Sequence, residues 1–109
     1  MASNKMTGET EVLNELQAWF AEHKASLADS GYVAELATSP PDRVKPSATV
    51  TIASTRRIGQ LTVWSTGEAE LSMGDAETGA VIEEHREITS RIGLHDATET
   101  LASWVSQGR

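Results

Sequence analysis

Residues 58–88 read IGQLTVWSTGEAELSMGDAETGAVIEEHREI, and this stretch predicts three short strands joined by two glycine-containing turns. Apolar and polar residues alternate in segments 58–64 and 68–73, which is the period of a strand with one buried face. Residues 65–67 form the first turn, where Gly67 is free to take a positive φ. Residues 74–79 form the second turn, and segment 80–88 returns the chain. The pattern favours an antiparallel meander with one buried and one solvated face.

The remaining segments predict two more strands and two flanking helices. Apolar residues recur at spacings of three and four from about residue 9 to residue 29, and again in the closing segment that begins at residue 94. Segments 32–37 and 48–54 alternate as strands, and the loop between them, residues 39–47, holds all three prolines. Gly31 is predicted to follow the end of the first helix. Residues 89–93 are predicted to be a connector, with His95 or Asp96 as the cap of the second helix.

The element order α-β-β-β-β-β-α predicts a single α+β domain over residues 9–107, preceded by a disordered tail at residues 1–8. The expected architecture is a two-layer sandwich, in which both helices cover one face of an antiparallel sheet of about five strands. The opposite face of the sheet is then open to solvent or to a partner.

The composition of the 109-residue chain is ordinary for a globular domain, with 39% hydrophobic and 23% charged residues. No apolar run approaches the roughly 20 residues of a membrane span, and the first ten residues lack the apolar segment of a signal peptide. The chain contains no cysteine, which excludes disulfides and thiolate metal sites within it. We therefore expect a cytoplasmic protein that does not bind membranes.

The net charge of −7 is unevenly distributed along the chain. Between residues 68 and 87, seven acidic residues stand against Arg86 alone, and seven acids less one base gives −6. The acids are Glu68, Glu70, Asp75, Glu77, Glu83, Glu84 and Glu87. A field of one sign disfavours nucleic-acid binding and attracts basic partners. The alternative interpretation is a solvated sheet face that only aids solubility.

The sequence contains none of the common catalytic or nucleotide-binding motifs, such as GxSxG, GxGxxG, HExxH or a P-loop. One polar cluster, EEHRE at residues 83–87, places Glu83, His85 and Glu87 on the same side of a strand. A histidine between carboxylates suits general-base or metal chemistry only in a pocket that supplies further ligands, and an open sheet face predicts none. In the structural alternative Arg86 pairs with Glu84 or with a cross-strand acid. We therefore predict no catalytic residue, no metal and no cofactor.

Trp64 is the one large aromatic residue predicted to lie on the solvated face. If Leu61 and Val63 face the helices, Trp64 shares the other face with Thr62 and with the glutamates of the next strand. An exposed tryptophan bordered by acids is a suitable anchor for a protein partner. A twist or bulge near Gly67 would instead return Trp64 to the core.

Two other polar features are given structural roles. Arg56 and Arg57 have the charge to bind an acidic group, but we predict that they lie at a solvated hairpin tip. His23 lies on the apolar edge of the first helix without a second ligand at i+4. We predict that His23 is packed or half-exposed.

Several motifs occur in a characteristic order along the chain: AWFAEHKASLADSGY at residues 18–32, a proline-rich loop, RIGQLTVWSTGEAELSMGDAETG at residues 57–79, EEH at 83–85 and LASWV at 101–105. This succession resembles the small immunity proteins of bacterial polymorphic toxin systems, most nearly the TriTu immunity protein family, over roughly residues 12–105. The resemblance implies a cytoplasmic protein that binds and neutralises a cognate toxin from neighbouring or sibling cells. It also implies no cofactor and no reaction of the protein's own.

The leading hypothesis is a non-enzymatic immunity protein that binds a toxin domain through an acidic open sheet face. The residues predicted to bind the toxin are Trp64, Glu68, Glu70, Glu83, His85 and Glu87, with the loop at residues 39–47 as a further contact. The alternative is an adaptor or a self-associating domain that forms a homodimer through its open sheet. A third hypothesis, a small-ligand enzyme centred on His85 and Glu83, requires a concave pocket around the histidine.

Overall fold

The computed structural model describes residues 11–40 and 44–107, which form two helices and five strands. Helix α1 (Glu11–Asp29) is followed by β1 (Val33–Thr38), β2 (Ser47–Ala53), β3 (Arg57–Trp64), β4 (Glu68–Asp75), β5 (Val81–Glu87) and helix α2 (Arg91–Gln107). The predicted tail at residues 1–8, the predicted start of the first helix and the middle of the proline-rich loop lie outside the described residues. Within the described ranges, neither helix is long and apolar enough to cross a membrane.

The five strands form one antiparallel sheet in chain order, β1-β2-β3-β4-β5. The meander predicted for residues 58–88 is confirmed, and each observed strand end lies within two residues of its prediction. Gly67 has a φ of 96°, as its turn requires. Its carbonyl oxygen also accepts a hydrogen bond of 2.7 Å from the backbone N–H of Ile88, so this turn holds the end of β5 in place.

Both helices cover the same face of the sheet, which confirms the predicted α+β architecture. Alternate residues of the three central strands are buried: Ala48, Val50 and Ile52 in β2, Leu61 and Val63 in β3, and Ala69, Leu71 and Met73 in β4. They share one hydrophobic cluster with Val12, Leu13, Leu16 and Phe20 of α1 and with Leu94, Ala97, Leu101 and Val105 of α2. Because this core lies entirely on one side, the other side of the sheet has no cover from the helices. We call that side the open face.

Helix α2 packs closely against the middle of β3 because a glycine occupies the contact point. Gly59 is buried in β3, and a Cβ atom built on it would lie 2.5 Å from Cδ1 of Leu101 and 3.4 Å from Cγ2 of Val105. The absence of a side chain at residue 59 therefore lets fully buried Leu101 reach the sheet.

The prediction for the start of α2 is wrong, whereas that for the end of α1 is confirmed. Helix α2 begins at Arg91, and its cap is Ser90, whose Oγ accepts a hydrogen bond of 3.1 Å from the N–H of Gly93. His95 and Asp96 lie inside the helix. Gly93 has a low helix propensity, which is why the sequence placed this turn in the connector. Gly31 follows α1 with a φ of 88°.

The prediction that Arg56 and Arg57 lie at a solvated hairpin tip is also wrong. Both guanidinium groups contact the carboxylate of Asp75, whose side chain is only 2% exposed, at 3.1 Å from Arg56 Nε and 2.9 Å from Arg57 Nε. The Arg57 guanidinium also lies 3.9 Å from the ring centroid of Trp104 and donates a hydrogen bond to its carbonyl oxygen. This arrangement joins the β2–β3 turn, the end of β4 and helix α2.

The pKa of Asp75 is well below its ordinary value. The hydrogen bond from Arg56 is the main cause, and the bonds from Arg57 and from two backbone N–H groups act in the same direction, whereas burial opposes them. Those two N–H groups belong to Glu77 and Thr78, so the carboxylate of Asp75 also shapes the turn that follows β4.

Candidate protein-binding face

The strand register places all six predicted partner-binding residues on the open face. Glu68 in β4 is opposite Glu87 in β5, and Glu70 is opposite His85. Glu83 is opposite Ser72. Trp64 is the last residue of β3 and is half-buried. It lies on the same strand face as Thr62, which is opposite Glu70. The carboxylates are therefore concentrated on β4 and β5, at one edge of the sheet.

Lys45 partly covers one corner of this cluster. Its ammonium group forms an ion pair with the Glu68 carboxylate and lies 5.6 Å from the ring centroid of Trp64. The hydrogen bond from Lys45 is the main cause of a lowered pKa at Glu68. Trp64 is thus on the open face, as one of the two predictions had it, but a lysine of the proline-rich loop lies over it.

His85 links two of the glutamates. Its Nδ1 lies 3.0 Å from an oxygen of Glu70, and its Nε2 lies 2.9 Å from an oxygen of Glu87. A carboxylate only accepts hydrogen bonds, so both ring nitrogens donate in this geometry, as an imidazolium does. These hydrogen bonds, of which the one donated to Glu70 has the larger effect, raise the pKa of His85. The side chain of His85 is 54% exposed, so the group titrates in contact with solvent.

The remaining open-face residues are neutral in the middle and acidic again at the far edge. Thr49 and Thr62 share a hydrogen bond of 2.9 Å across β2 and β3, and Gln60 donates one of 3.2 Å to Thr51. Glu35 of β1 lies beyond them, opposite Thr51. The sequence reasoning missed Glu35 as an open-face acid, although its alternation with Ala34 and Leu36 carried the signal.

Three of the seven acids counted between residues 68 and 87 do not belong to the open face. Asp75 is buried under Arg56 and Arg57. Glu77 lies in the turn after β4, near Arg56. Glu84 points to the helix side, where Arg86 donates a hydrogen bond to it and another to Thr100 of α2. The open face therefore carries four of the seven acids of that segment.

An apolar row crosses the open face at the end opposite Trp64. The register aligns Val33 with Ala53, Ala53 with Ile58, Ile58 with Gly74, and Gly74 with Val81. Val33, Ile58 and Val81 are 65%, 52% and 67% exposed. We call Val33, Ala53, Ile58 and Val81 the aliphatic row. It was not predicted as a surface, because strand parity alone does not align residues across five strands.

The geometry around His85 does not form an enclosed site. The side chains of Glu70 and Glu87 are 51% and 66% exposed. In the part of the chain that the structure describes, no group of three or more histidine, aspartate or glutamate side chains is arranged to hold a metal ion. The arrangement can therefore present charge and an aromatic ring to a partner.

Comparison with known proteins places the chain in a family. The family model described as Immunity protein TriTu matches residues 14–106, which include all five strands and most of both helices. None of the curated proteins compared with the chain matches it. The match covers most of the chain and agrees with the resemblance stated from its motifs. The chain therefore belongs to the TriTu immunity protein family.

Proposed function

We propose that the protein neutralises a cognate bacterial toxin by binding it through the β4–β5 part of the open face, without catalysis, in the cytoplasm. Membership of an immunity protein family supports an immunity function and a toxin as the protein partner. The observation that carries the proposal is the register of β3, β4 and β5. It gathers Trp64, His85 and four glutamates on the one sheet face that the helices leave uncovered.

The charges on this face favour a basic partner surface. Glu68 and Glu87 are directly opposite each other on neighbouring strands, an arrangement of like charges that destabilises a sheet. Lys45 and His85 reduce the repulsion, and no described residue donates to Glu83. A partner that brings lysine or arginine to this surface supplies the missing positive charge and is attracted to it from a distance.

The test uses the protein encoded by the reading frame immediately upstream of this chain as the candidate toxin, made with its active site disabled. Isothermal titration should give a complex with the wild-type chain, and the triple variant Glu70→Gln, Glu83→Gln and Glu87→Gln should bind at least tenfold more weakly. The loss should shrink as the salt concentration rises, because screening weakens the wild-type attraction. In cells that express the active toxin, the same variant should fail to restore growth.

A matched control removes three acids from the helix side. Glu22, Asp96 and Glu99 are exposed on α1 and α2, so the variant Glu22→Gln, Asp96→Asn and Glu99→Gln changes the net charge by the same amount. It should bind as the wild type does. Equal losses in the two triple variants would show that only total charge matters, and the absence of a complex at micromolar wild-type concentration would contradict the proposed function.

A further inference from the structure

The aliphatic row is the feature of the surface that the acidic cluster does not explain. It runs from one edge of the sheet to the other across five strands, a length of about 19 Å at the usual strand spacing. Three of its side chains are more than half exposed. A continuous exposed apolar strip on a charged domain marks a contact surface more often than scattered single residues do.

Gly74 makes a shallow notch in the row. It lies between Ile58 and Val81 in the register, and it has no side chain to fill the space between them. A Cβ atom at residue 74 would lie 3.5 Å from Cγ2 of Ile58, an ordinary van der Waals contact. The open face therefore has room above Gly74 for an apolar group from another molecule, with Ile58 and Val81 as its walls.

The acidic cluster begins next to this notch. Glu83 follows Val81 by two residues on the same face of β5, a separation of about 7 Å, and His85 and Glu87 continue along the strand. A group seated above Gly74 thus has the carboxylates of the acidic cluster along one side, and the ion-paired Arg56, Asp75 and Glu77 of the two turns near the other. The acidic cluster beside the notch attracts a basic partner. A second copy of this chain would bring another net charge of −7 and would be repelled.

We propose that the aliphatic row is a second part of the toxin-binding surface, which takes an aliphatic or aromatic side chain of a basic toxin surface into the notch above Gly74. This inference rests on the proposed function and adds the apolar half of the recognition. The row supplies desolvated contact, which holds the complex together, while the acids supply attraction and orientation.

The test separates the two halves by their dependence on salt. The variant Ile58→Thr with Val81→Thr keeps β-branched side chains in both strands and adds no charge, and its far-ultraviolet circular dichroism and melting temperature should match the wild type. Its Kd for the inactivated upstream-encoded toxin domain should rise at least tenfold, with the salt dependence of binding unchanged. Ile92→Thr is the control, because Ile92 is 57% exposed but lies on α2, and it should bind within twofold of the wild type.

Two results would overturn the inference alone, and a third would overturn it together with the proposed function. In the first, the wild type binds the toxin domain and the Kd of the Ile58→Thr, Val81→Thr variant lies within twofold of the wild-type value. That result leaves the proposed function standing and removes only the apolar half of the recognition. The second is a wild-type dimer in sedimentation velocity that the same variant dissociates, because the row would then serve a second copy. Failure of the wild type to bind the toxin domain at all would instead remove the proposed function and the inference with it.

Discussion

The contact between Gly59 and Leu101 seats helix α2 on the sheet, and a double-mutant cycle can test it. Helix α2 lies against β3 because residue 59 has no side chain, and Leu101 fills the space with no exposed surface. Gly59→Ala places a Cβ atom 2.5 Å from Leu101 Cδ1, so the leucine or the helix must move. Leu101→Ala empties the same space from the other side.

The magnitudes follow from the packing. Overpacking a core costs about 1–3 kcal/mol, and replacing glycine recovers about 0.4–1 kcal/mol through the unfolded chain, so Gly59→Ala should cost about 1–2 kcal/mol. Leu101→Ala removes three carbons at about 0.8 kcal/mol each and leaves a cavity, which gives about 3 kcal/mol or more. In the double variant the new methyl group occupies part of the vacated space. The combined cost should therefore fall short of the sum by about 1–2 kcal/mol.

Urea unfolding followed by tryptophan fluorescence and circular dichroism measures each free energy of unfolding. The control pairs Leu101→Ala with Gly74→Ala, since a Cβ atom at residue 74 meets only ordinary contacts and residue 74 lies on the open face. The control pair should be additive within about 0.5 kcal/mol. Additive costs in the Gly59 pair would refute the reasoning, because α2 would then not be seated on β3 through this glycine.

Three further outcomes are expected. Gly79→Ala should cost about 1–2 kcal/mol for its positive φ, and Gly67→Ala should cost clearly more in the same urea assay, because its Cβ atom would also lie 2.6 Å from a backbone oxygen. Asp75→Asn should lower the melting temperature at neutral pH. Because the pKa of Asp75 is depressed in the folded state, the stability that its carboxylate contributes is complete above the unfolded pKa of about 3.9. It is lost as the pH falls from there through the folded-state pKa, so the melting temperatures of the two proteins should converge in that range. The NMR titration midpoint of His85 should lie above 6.5, and Glu70→Gln should lower it. A wild-type midpoint at or below 6.5 would contradict the geometry. The stability that His85 contributes through these hydrogen bonds is complete below about pH 6.5 and is lost as the pH rises through its raised pKa.

The alternation of residues within strands and the residue types of the turns were enough to predict most of the fold from the sequence. The alternation in β4 assigned Glu68 and Glu70 to the solvated side, and Gly67 marked the turn that pairs β4 with β3. The position of the helices followed from their apolar stripes, because two amphipathic helices that flank an antiparallel sheet cover its one apolar face. These inferences depend on neighbours in sequence, for which periodicity is a direct physical signal.

The parts that failed depend on distant contacts. Arg56 and Arg57 resemble a solvated tip until Asp75, 18 residues further on from Arg57, is brought beside them by the β3–β4 pairing. Lys45 lies over Trp64 because the proline-rich loop ends next to the last residues of β3, a proximity that no local pattern encodes. Alignment of the aliphatic row likewise needs the register of four strand pairs.

The pairing of Glu68 with Glu87 links the fold to the proposed role. Cross-strand stability favours opposite charges or apolar residues at such a position, and this sheet instead places two carboxylates there and balances them with Lys45 and His85. Both balancing groups are at the surface, so a partner's cations can take over or add to their contacts without disturbing the core. Local conflicts between stability and sequence are expected where a surface serves binding. The helices stabilise the other side of the same strands, which lets the open face keep charges and exposed aliphatic side chains that folding alone does not require.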